Sequence, residues 1–444
     1  MRRDLANALS GAFLAGAWTK RGLSDSALIV LGRRTRWVPP LAEQVLELYP
    51  RPPLDRPREL AQVIVALPVA SRAELAGPCA HPAARPVAHP LVPTRMVVNP
   101  WGLLELHDLS DVASLLEVSQ EELAWLADPR HWARTAERTR LQHYRVSTRP
   151  AASGAIRVLE APKRRLKAMQ RCLLQRVLGR IPPHDAAHGF RSGRSVASYA
   201  APHAGRAVVI RLDLEGFFAS VTVGRVYGIL RSAGYPEPVA HCLAGVTTTV
   251  LPRSAWRQVP RPADEGLLDA HWRLGRRLAA PHLPQGAPTS PGLANLAAYS
   301  LDVRLTALAA AWGARYTRYA DDIALSGGRG WRTRTSRILD VLEEIAVSEG
   351  FRLNPRKTAV LPRAGRQVLG GLVVNDTPRV ARAEVDALRA MLHNCIHHGP
   401  STQNREGRTN FEGYLRGRVS WVAQHDPVRG ARLRAQLAAV DWAR

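Results

Sequence analysis

The chain has 444 residues, of which 46% are hydrophobic and 22% charged, a composition typical of a folded protein with two or three domains. Its 62 basic residues against 37 acidic ones give a formal net charge of +25, which predicts a polyanionic partner such as nucleic acid. The absence of an apolar run of about 18 residues excludes a membrane span, and four scattered cysteines favour a reduced, cytoplasmic protein over a disulfide-stabilised secreted one.

Residues 1–100 are predicted to form a mainly helical extension that ends in a proline-rich segment. The apolar spacing of LAEQVLEL (41–48) and LAQVIVAL (60–67) fits a helical period. The opening MRRDLANALSGAFLAGAW has some features of a signal peptide, but Asp4 interrupts it, so we interpret it as an amphipathic helix. Prolines throughout residues 68–100 predict an irregular linker.

The next segments contain two short helices and then a basic region. Residues 103–127 have the pattern of two helices, with Ser110 and Ser119 as their predicted N-caps. The segment IRVLEAPKRRLKAMQRCLLQRVLGRI (156–181) predicts a strand followed by a basic helix. Residues 156–194 contain ten basic residues and two acids, so this region is a candidate for contacting phosphates.

The central region alternates strand-like and helix-like segments. Strands are predicted for AVVIRLDL (207–214) and for RQVLGGLVVN (366–375, as a single strand), and a hairpin is predicted for RYTRYADDIALSG (315–327), turning at Ala320–Asp321. Helices are predicted for VGRVYGILRSAG (223–234), SPGLANLAAYSLDVRLTALAAAWG (290–313, as one long helix) and RILDVLEEIAVSEG (337–350). Helices packed on one side of an antiparallel sheet correspond to an α+β fold.

Three aspartates suggest the chemistry. Asp213 ends a predicted buried strand, and Asp321 and Asp322 lie at the predicted hairpin turn. Adjacent carboxylates repel one another unless a cation neutralises them, and their oxygens suit Mg²⁺ or Mn²⁺. Two such ions can promote phosphoryl transfer. A pair of aspartates is also common in solvated turns, so the surrounding motifs must decide between the two interpretations.

Five motifs occur in a single order: RLDLEGFFASV, LPQGAPTSPGLANLAA, YTRYADDIALSG, GFRLNPRKT and RQVLGGLVVN. In this order they resemble motifs A to E of reverse transcriptases. The resemblance implies a right-hand polymerase, with fingers, an antiparallel palm and a thumb, that adds dNTPs to DNA on an RNA template. It divides the chain into an N-terminal extension (1–100), N-terminal helices and fingers (101–206), a palm (207–363) with an insertion between motifs A and B (about 250–282), and a thumb with C-terminal helices (364–444).

The same resemblance assigns roles to the palm residues. It implies that two Mg²⁺ ions, or Mn²⁺ ions, are bound at Asp213, Leu214 and Asp321, with Asp322 beside them. Phe218 occupies the position of the aromatic gate that excludes the ribose 2′-hydroxyl, so the product would be DNA.

Other positions in these motifs concern the incoming nucleotide. Gln285 and Gly286 match the motif near the nucleotide, where a small residue permits close approach. Gly216 departs from the acid often found at its position, which leaves the local nucleotide contacts open.

Lysine usage adds an observation independent of the family. Four of the 62 basic residues are lysines, at positions 20, 163, 167 and 357. In a sequence that otherwise uses arginine, a lysine indicates a position where a compact ammonium that can donate a proton is needed. We predict that Lys357, in NPRKT, protonates or neutralises the departing pyrophosphate, and the alternative is a surface lysine without a function.

Further basic and aromatic side chains are candidates for substrate contacts. Arg157 and Lys163 are predicted to contact the nucleotide triphosphate or the template. The predicted nucleic-acid contacts are Lys167, Arg191, Arg194, Tyr414, Arg416 and Arg418. A solvated basic helix, or ordinary amphipathic packing in the C-terminal helix, is the alternative for these residues.

Within the family, residues 101–444 are most similar to retron enzymes, although Leu369-Gly370-Gly371 replaces their usual Val-Thr-Gly. The resemblance implies a structured non-coding RNA as template and primer, DNA synthesis from a 2′-hydroxyl of that RNA, and a branched RNA–DNA hybrid. It also implies anti-phage defence with an effector protein. The alternatives are a diversity-generating or other defence reverse transcriptase, or an RNA-binding scaffold without catalysis.

Overall fold

A computed structural model describes residues 1–72, 86–88, 92–130, 132–136, 138–151 and 153–442. Much of the predicted linker at 68–100 therefore lies outside the described residues. Contacts between residues divide the protein into two units, the first comprising 1–182 and 218–293, the second 183–217 and 294–444. None of the described helices is both long enough and apolar enough to span a membrane.

The N-terminal region is helical, as predicted. Its helices are α1 (Arg3–Ala15), α2 (Lys20–Leu31), α3 (Val38–Leu48), α4 (Pro57–Ala66) and α5 (Pro68–Arg72). Their apolar faces enclose a separate core that includes Leu9, Phe13, Leu23, Leu41 and Leu60, none of which is more than 1% exposed. Burial of these residues is the main stabilising contribution to this group of helices.

The following segment of the first unit carries the basic helix. It contains α6 (Leu109–Leu116), α7 (Gln120–Ala127), α8 (Trp132–Thr135), β1 (Tyr144–Pro150), β2 (Ile156–Pro162) and α9 (Arg164–Arg176). Strands β1 and β2 form an antiparallel hairpin. Ser119 caps α7 as predicted, but the prediction of Ser110 as a cap is wrong. Asp108 caps α6 instead, because its carboxylate accepts hydrogen bonds from the N–H groups of Ser110 and Asp111.

The central region contains the main sheet. Its elements are α10 (Val196–Ala200), β3 (Val208–Asp213), α11 (Val223–Ser232), α12 (Glu237–Thr247), α13 (Arg253–Arg257), α14 (Leu268–Leu278), α15 (Ser290–Ala297), α16 (Tyr299–Ala311), β4 (Arg315–Tyr319), β5 (Asp322–Gly327), α17 (Thr335–Ser348) and β6 (Ala359–Pro362). The strands form an antiparallel sheet in the order β4-β5-β3-β6, entirely within the second unit. Fully buried Val209, Ile210 and Leu212 explain why β3 lies at the centre of this sheet.

The prediction of one helix over 290–313 is wrong in detail. Ala298 takes φ −85° and ψ 5° and separates α15 from α16. Backbone hydrogen bonds from Ala298 to Ala294, and from Asp302 to Ala298, continue across this position. The break is therefore a local bend, for which the apolar pattern gives no signal.

The C-terminal part of the second unit contains β7 (Val368–Leu369), β8 (Leu372–Val373), β9 (Arg379–Val380), α18 (Arg382–His398), α19 (Phe411–His425) and α20 (Pro427–Ala438). The prediction of a single strand over 366–375 is wrong, because β7 and β8 form a hairpin in which Leu369 pairs with Leu372. Gly370 and Gly371 have φ values of +55° and +85°. Two central residues with positive φ make the tight turn that joins antiparallel strands.

Candidate active site

The three acids lie where β3, β5 and the hairpin turn meet. Asp213 is the last residue of β3, and its Cα pairs with that of Asp322, the first residue of β5. Asp321 lies in the two-residue turn between β4 and β5, and its C=O accepts a hydrogen bond of 2.9 Å from the N–H of Leu214. Residues more than 100 positions apart in sequence are therefore adjacent through backbone pairing.

Asn354, which sequence reasoning missed, orients Asp213. Its backbone N–H donates to the C=O of Asp213 at 2.8 Å, and its Nδ2 lies 3.3 Å from Asp213 Oδ2. The signal available in the sequence was its place in the NPRKT segment that also contains Lys357. The Lys357 Nζ lies 2.6 Å from Asp213 Oδ1, so one segment holds both oxygens of this carboxylate.

The electrostatics of the site are those of clustered negative charge. Burial, together with the charges of Asp321 and Asp213, raises the pKa of Asp322 to about 6. The positive charges of Arg211 and Lys357 act in the opposite direction but do not offset this rise. Additional positive charge with a preference for oxygen ligands fits this donor set. Among the described residues, however, no group of three or more acidic, histidine or cysteine side chains is arranged closely enough to hold a metal ion.

A fully buried arginine, Arg318, holds the turn that carries Asp321. Arg318 forms a two-point ion pair with Asp302, through contacts of 2.8 Å from Nε and 2.7 Å from Nη2. Its Nη1 donates to the C=O of Ala320 and to Asn295 Oδ1, both at 2.9 Å. Ala320 has φ +56°, in the left-handed region, so the turn residue before Asp321 is held in a strained conformation.

The two phenylalanines after β3, Phe217 and Phe218, have different environments. Phe217 is 3% exposed, packs on Phe351 at 5.7 Å between ring centroids and lies below the guanidinium of Arg318, so it belongs to the core. Phe218 is half-buried and remains the predicted gate. Gly216 has φ +61°, a conformation that glycine adopts without strain.

Gln285 and Gly286 lie in a loop of the first unit, against β2. The C=O of Gln285 accepts a hydrogen bond of 2.8 Å from the N–H of Glu160. Gly286 is exposed and has φ +127°, and an added Cβ would lie 3.3 Å from the C=O of Glu160. The small residue is therefore required by the close approach of two backbones. The contact of Glu160 with this loop was not predicted from the sequence.

The basic candidates of the first unit have different environments. Arg157 is exposed on β2, and Lys167 is half-buried on α9. Lys163 Nζ donates to the backbone C=O groups of Thr139 and Arg140 at 2.6 and 3.0 Å, so this lysine also stabilises the loop before β1.

The basic candidates of the second unit form two groups. Arg191 and Arg194 both contact Asp185, at 3.2 and 3.8 Å. On α19, Arg416 pairs with Glu412 and Arg418 with Glu384.

An aromatic–arginine arrangement surrounds Tyr414. The guanidinium of Arg408 lies 4.1 Å from the ring centroid of Tyr414, and that of Arg418 lies 5.9 Å away. Arg408 was missed because it precedes α19, outside the helical pattern that pointed to Tyr414. Such a combination suits contact with nucleic acid.

An antiparallel sheet with one aspartate ending a central strand, and two more at the adjoining turn, is the palm of a nucleotide polymerase. The family described as "Reverse transcriptase (RNA-dependent DNA polymerase)" matches residues 148–373. The protein belongs to this family and is an RNA-directed DNA polymerase of the retron type, as the motif order predicted. Reverse transcriptases use divalent metal ions.

Three relatives give the extent of the similarity. The retron Mx65 reverse transcriptase of Myxococcus xanthus is 39% identical over 344 residues, which cover 77% of this protein and 74% of the relative. The retron Mx162 reverse transcriptase of the same organism is 38% identical over 356 residues, covering 77% and 68%. The retron Ec86 reverse transcriptase of Escherichia coli is 28% identical over 344 residues, covering 77% and 91%.

Proposed function

We propose that the protein extends DNA on an RNA template with two Mg²⁺ ions, for which Mn²⁺ can substitute, held by Asp213, Asp321 and the C=O of Leu214, with Asp322 beside them. The observation that carries this proposal is the pairing of Asp213 with Asp322 at the end of the central strand. When bound, such ions lower the pKa of an attacking hydroxyl and stabilise the departing oxygen of a phosphoryl transfer.

The protein's own part at this site is to hold charge in a fixed arrangement. Asn354 and Lys357 orient Asp213. Because the side chain of Lys357 is 41% exposed, its ammonium can leave the carboxylate when a substrate binds. We propose that it then donates a proton to the pyrophosphate oxygen released when the new phosphodiester bond forms.

Nucleotide selection is assigned to a second group of residues. Phe218 would exclude the ribose 2′-hydroxyl, and the loop of Gln285 and Gly286 would contact the incoming dNTP. Arg157 and Lys163 would pair with its phosphates. Support comes from the exposure of Gly286 and Arg157 and from the close packing of the loop on β2.

The remaining basic residues are assigned to the nucleic acid, within the proposed fingers (101–206), palm (207–363) and thumb (364–444). Lys167, Arg191 and Arg194 would contact the template backbone. Tyr414, Arg416 and Arg418 would hold the RNA–DNA duplex in the thumb. Support comes from the net charge of +25 and from the stacked arginines at Tyr414.

The retron type of the enzyme suggests its natural substrate. We propose that it binds its own structured non-coding RNA in the cytoplasm and starts DNA synthesis at a 2′-hydroxyl of that RNA. The branched hybrid would act in anti-phage defence with an effector protein. The retron relatives support this proposal. Leu369-Gly370-Gly371 replaces the Val-Thr-Gly that retron enzymes usually carry, and we propose that the hairpin of β7 and β8 that these residues form bears on which RNA is bound.

The test is to purify the protein with its genomic flanking RNA and supply labelled dNTPs. The proposal predicts labelled DNA that stays attached to RNA under denaturing conditions, is shortened by ribonuclease, and is absent from Asp321→Asn. Extension of an added primer without any RNA-attached product would instead support another class of bacterial reverse transcriptase. RNA binding without synthesis under any of these conditions would support a scaffold.

A further inference from the structure

A buried carboxylate and a buried imidazole connect β2 to the segment that precedes the Gln285–Gly286 loop. Glu160 Oε2 lies 2.8 Å from His282 Nε2, and each residue is 1% exposed. Both residues belong to the first unit. Charged groups are rarely buried without a specific partner, because water no longer solvates them.

Both ring nitrogens of His282 are used. Nδ1 lies 2.8 Å from the C=O of Ala280, which can only accept a hydrogen bond, and Nε2 faces the carboxylate of Glu160. Both nitrogens therefore act as donors, which describes an imidazolium. Burial lowers the pKa of His282, but the charge of Glu160 and the two hydrogen bonds outweigh this effect and raise the pKa.

The same glutamate touches the nucleotide loop through its backbone. Its N–H donates to the C=O of Gln285, and its C=O lies against the Cα side of Gly286, where a Cβ would approach to 3.3 Å. The carboxylate of Glu160 is thus held by His282, while its backbone carries the loop. Any displacement of Glu160 is transmitted directly to Gln285.

Neighbouring contacts hold the rest of this segment. The backbones of His282 and Thr249 exchange two hydrogen bonds of 2.9 Å, and the N–H of Leu283 donates to Val221 at 3.0 Å. Ser290 Oγ donates to the C=O of Pro284 at 2.7 Å. These bonds fix the segment to other parts of the unit, whereas the Glu160–His282 ion pair and the backbone hydrogen bond from Glu160 to Gln285 fix it to β2.

We propose that Glu160 and His282 are positioning residues that hold the Gln285–Gly286 loop in register with β2 and thereby set the affinity for the incoming nucleotide. The inference rests on the nucleotide-binding role proposed above for this loop. Neither residue needs to touch the substrate. A directional ion pair suits this task better than apolar contacts, which permit small displacements.

The test is steady-state incorporation of dTTP on poly(rA) primed with oligo(dT). The variants are Glu160→Leu, His282→Leu, the double leucine variant and Glu160→Gln. We expect each single leucine variant to raise KM for dTTP by at least about fivefold, with kcat changed by less than about twofold. Glu160→Gln keeps an amide oxygen that can accept the hydrogen bond from His282 Nε2, so its KM should stay within about twofold of wild type.

The double leucine variant separates positioning from stability. Replacing a buried ion pair by apolar residues is often neutral for stability, so the melting temperature should recover relative to the single variants. The inference predicts that KM stays raised nevertheless. If KM recovers with the melting temperature, or if folded single variants keep a normal KM, the inference is wrong. If the single variants do not fold, KM for dTTP in the double variant alone decides whether the inference is correct.

Two controls complete the design. Leu9→Ala destabilises the N-terminal helical core and should leave KM unchanged, which separates instability from loop displacement. Gln285→Ala should raise KM if the loop binds nucleotide. If Gln285→Ala instead leaves KM unchanged while the wild type extends normally, the loop does not bind nucleotide. The inference is then rejected, but the assignment of the protein as an RNA-directed DNA polymerase is unaffected.

Discussion

Lys357 Nζ lies 2.6 Å from Asp213 Oδ1, so the lysine of the NPRKT segment is in direct contact with the aspartate that ends the central strand. Lysine is rare in this arginine-rich protein, and this lysine contacts one of the proposed metal-binding acids. The contact explains how the carboxylate is neutralised when no substrate is present. It also gives a specific reason to ask whether arginine can replace it.

Lys357→Arg should lower kcat for dNTP incorporation by about tenfold or more, because a guanidinium keeps the charge but does not release a proton. The measurement is single-nucleotide incorporation under saturating dNTP. Lys20→Arg is the matched control, since Lys20 pairs with Glu43 on the N-terminal helices. Equal activity of Lys357→Arg and wild type would remove the proton-donor role.

The ion pair of Arg318 and Asp302 should be needed for both stability and activity. Asp302→Asn leaves the buried guanidinium without its counter-charge and should lower the free energy of unfolding by about 3–5 kcal/mol. Activity should fall further than stability explains, because Arg318 also holds the C=O of Ala320 beside Asp321. Thermal melting and primer extension on the same preparation test this pair. A stable, fully active Asp302→Asn variant would contradict it.

The turn of Gly370 and Gly371 should not tolerate larger residues. Gly370→Ala forces a Cβ onto a backbone with φ +55° and into Val196 Cγ1, and should cost about 1–3 kcal/mol. Gly365→Ala, at a glycine that has more space and no positive φ, is the control and should melt near the wild-type temperature. Equal melting of the two variants would show that the hairpin turn is not formed as described.

Stability should fall on acidification because of His203. This residue is fully buried between Ser326 and Thr317, and burial lowers its pKa to about 3, against 6.5 ordinarily. His203 in the unfolded protein therefore binds a proton below about pH 6.5, whereas His203 in the native protein binds one only near pH 3. The contribution of His203 to the free energy of unfolding is complete above about pH 6.5. It is lost as the pH falls from about 6.5 to about 3, by up to about 1.4 kcal/mol per pH unit.

Melting temperatures of wild type and His203→Asn between pH 8 and pH 5 test this prediction. The variant does not titrate at this position, so its melting temperature should fall less on acidification. His398→Asn, at an exposed histidine, should keep the wild-type dependence. Parallel curves for wild type and His203→Asn would show that His203 does not contribute.

The sequence predicted those features that depend on local pattern. The hydrophobic run of β3, the turn at Ala320–Asp321 and the glycine end of α17 were all confirmed. It failed around Gly370-Gly371, where the apolar residues on both sides were interpreted as one strand although a Gly-Gly pair is itself a signal for a hairpin turn.

Contacts between residues far apart in the sequence could not be predicted for a different reason. Glu160 and His282 are 122 positions apart, and Asn354 and Asp213 are 141 apart. Neither pair belongs to a common local motif. Periodicity describes which face of an element is buried but not which polar groups meet there, so these pairs required the tertiary structure.

The most direct test of the central claim is extension of a DNA primer on an RNA template with Mg²⁺ and dNTPs, comparing wild type with Asp321→Asn. We predict templated synthesis by the wild type and a loss of at least about 10³-fold in the variant, since the carboxylate charge that holds the cations is reduced. Asp321→Asn extending the primer as well as wild type would contradict the assignment of this turn as the catalytic centre.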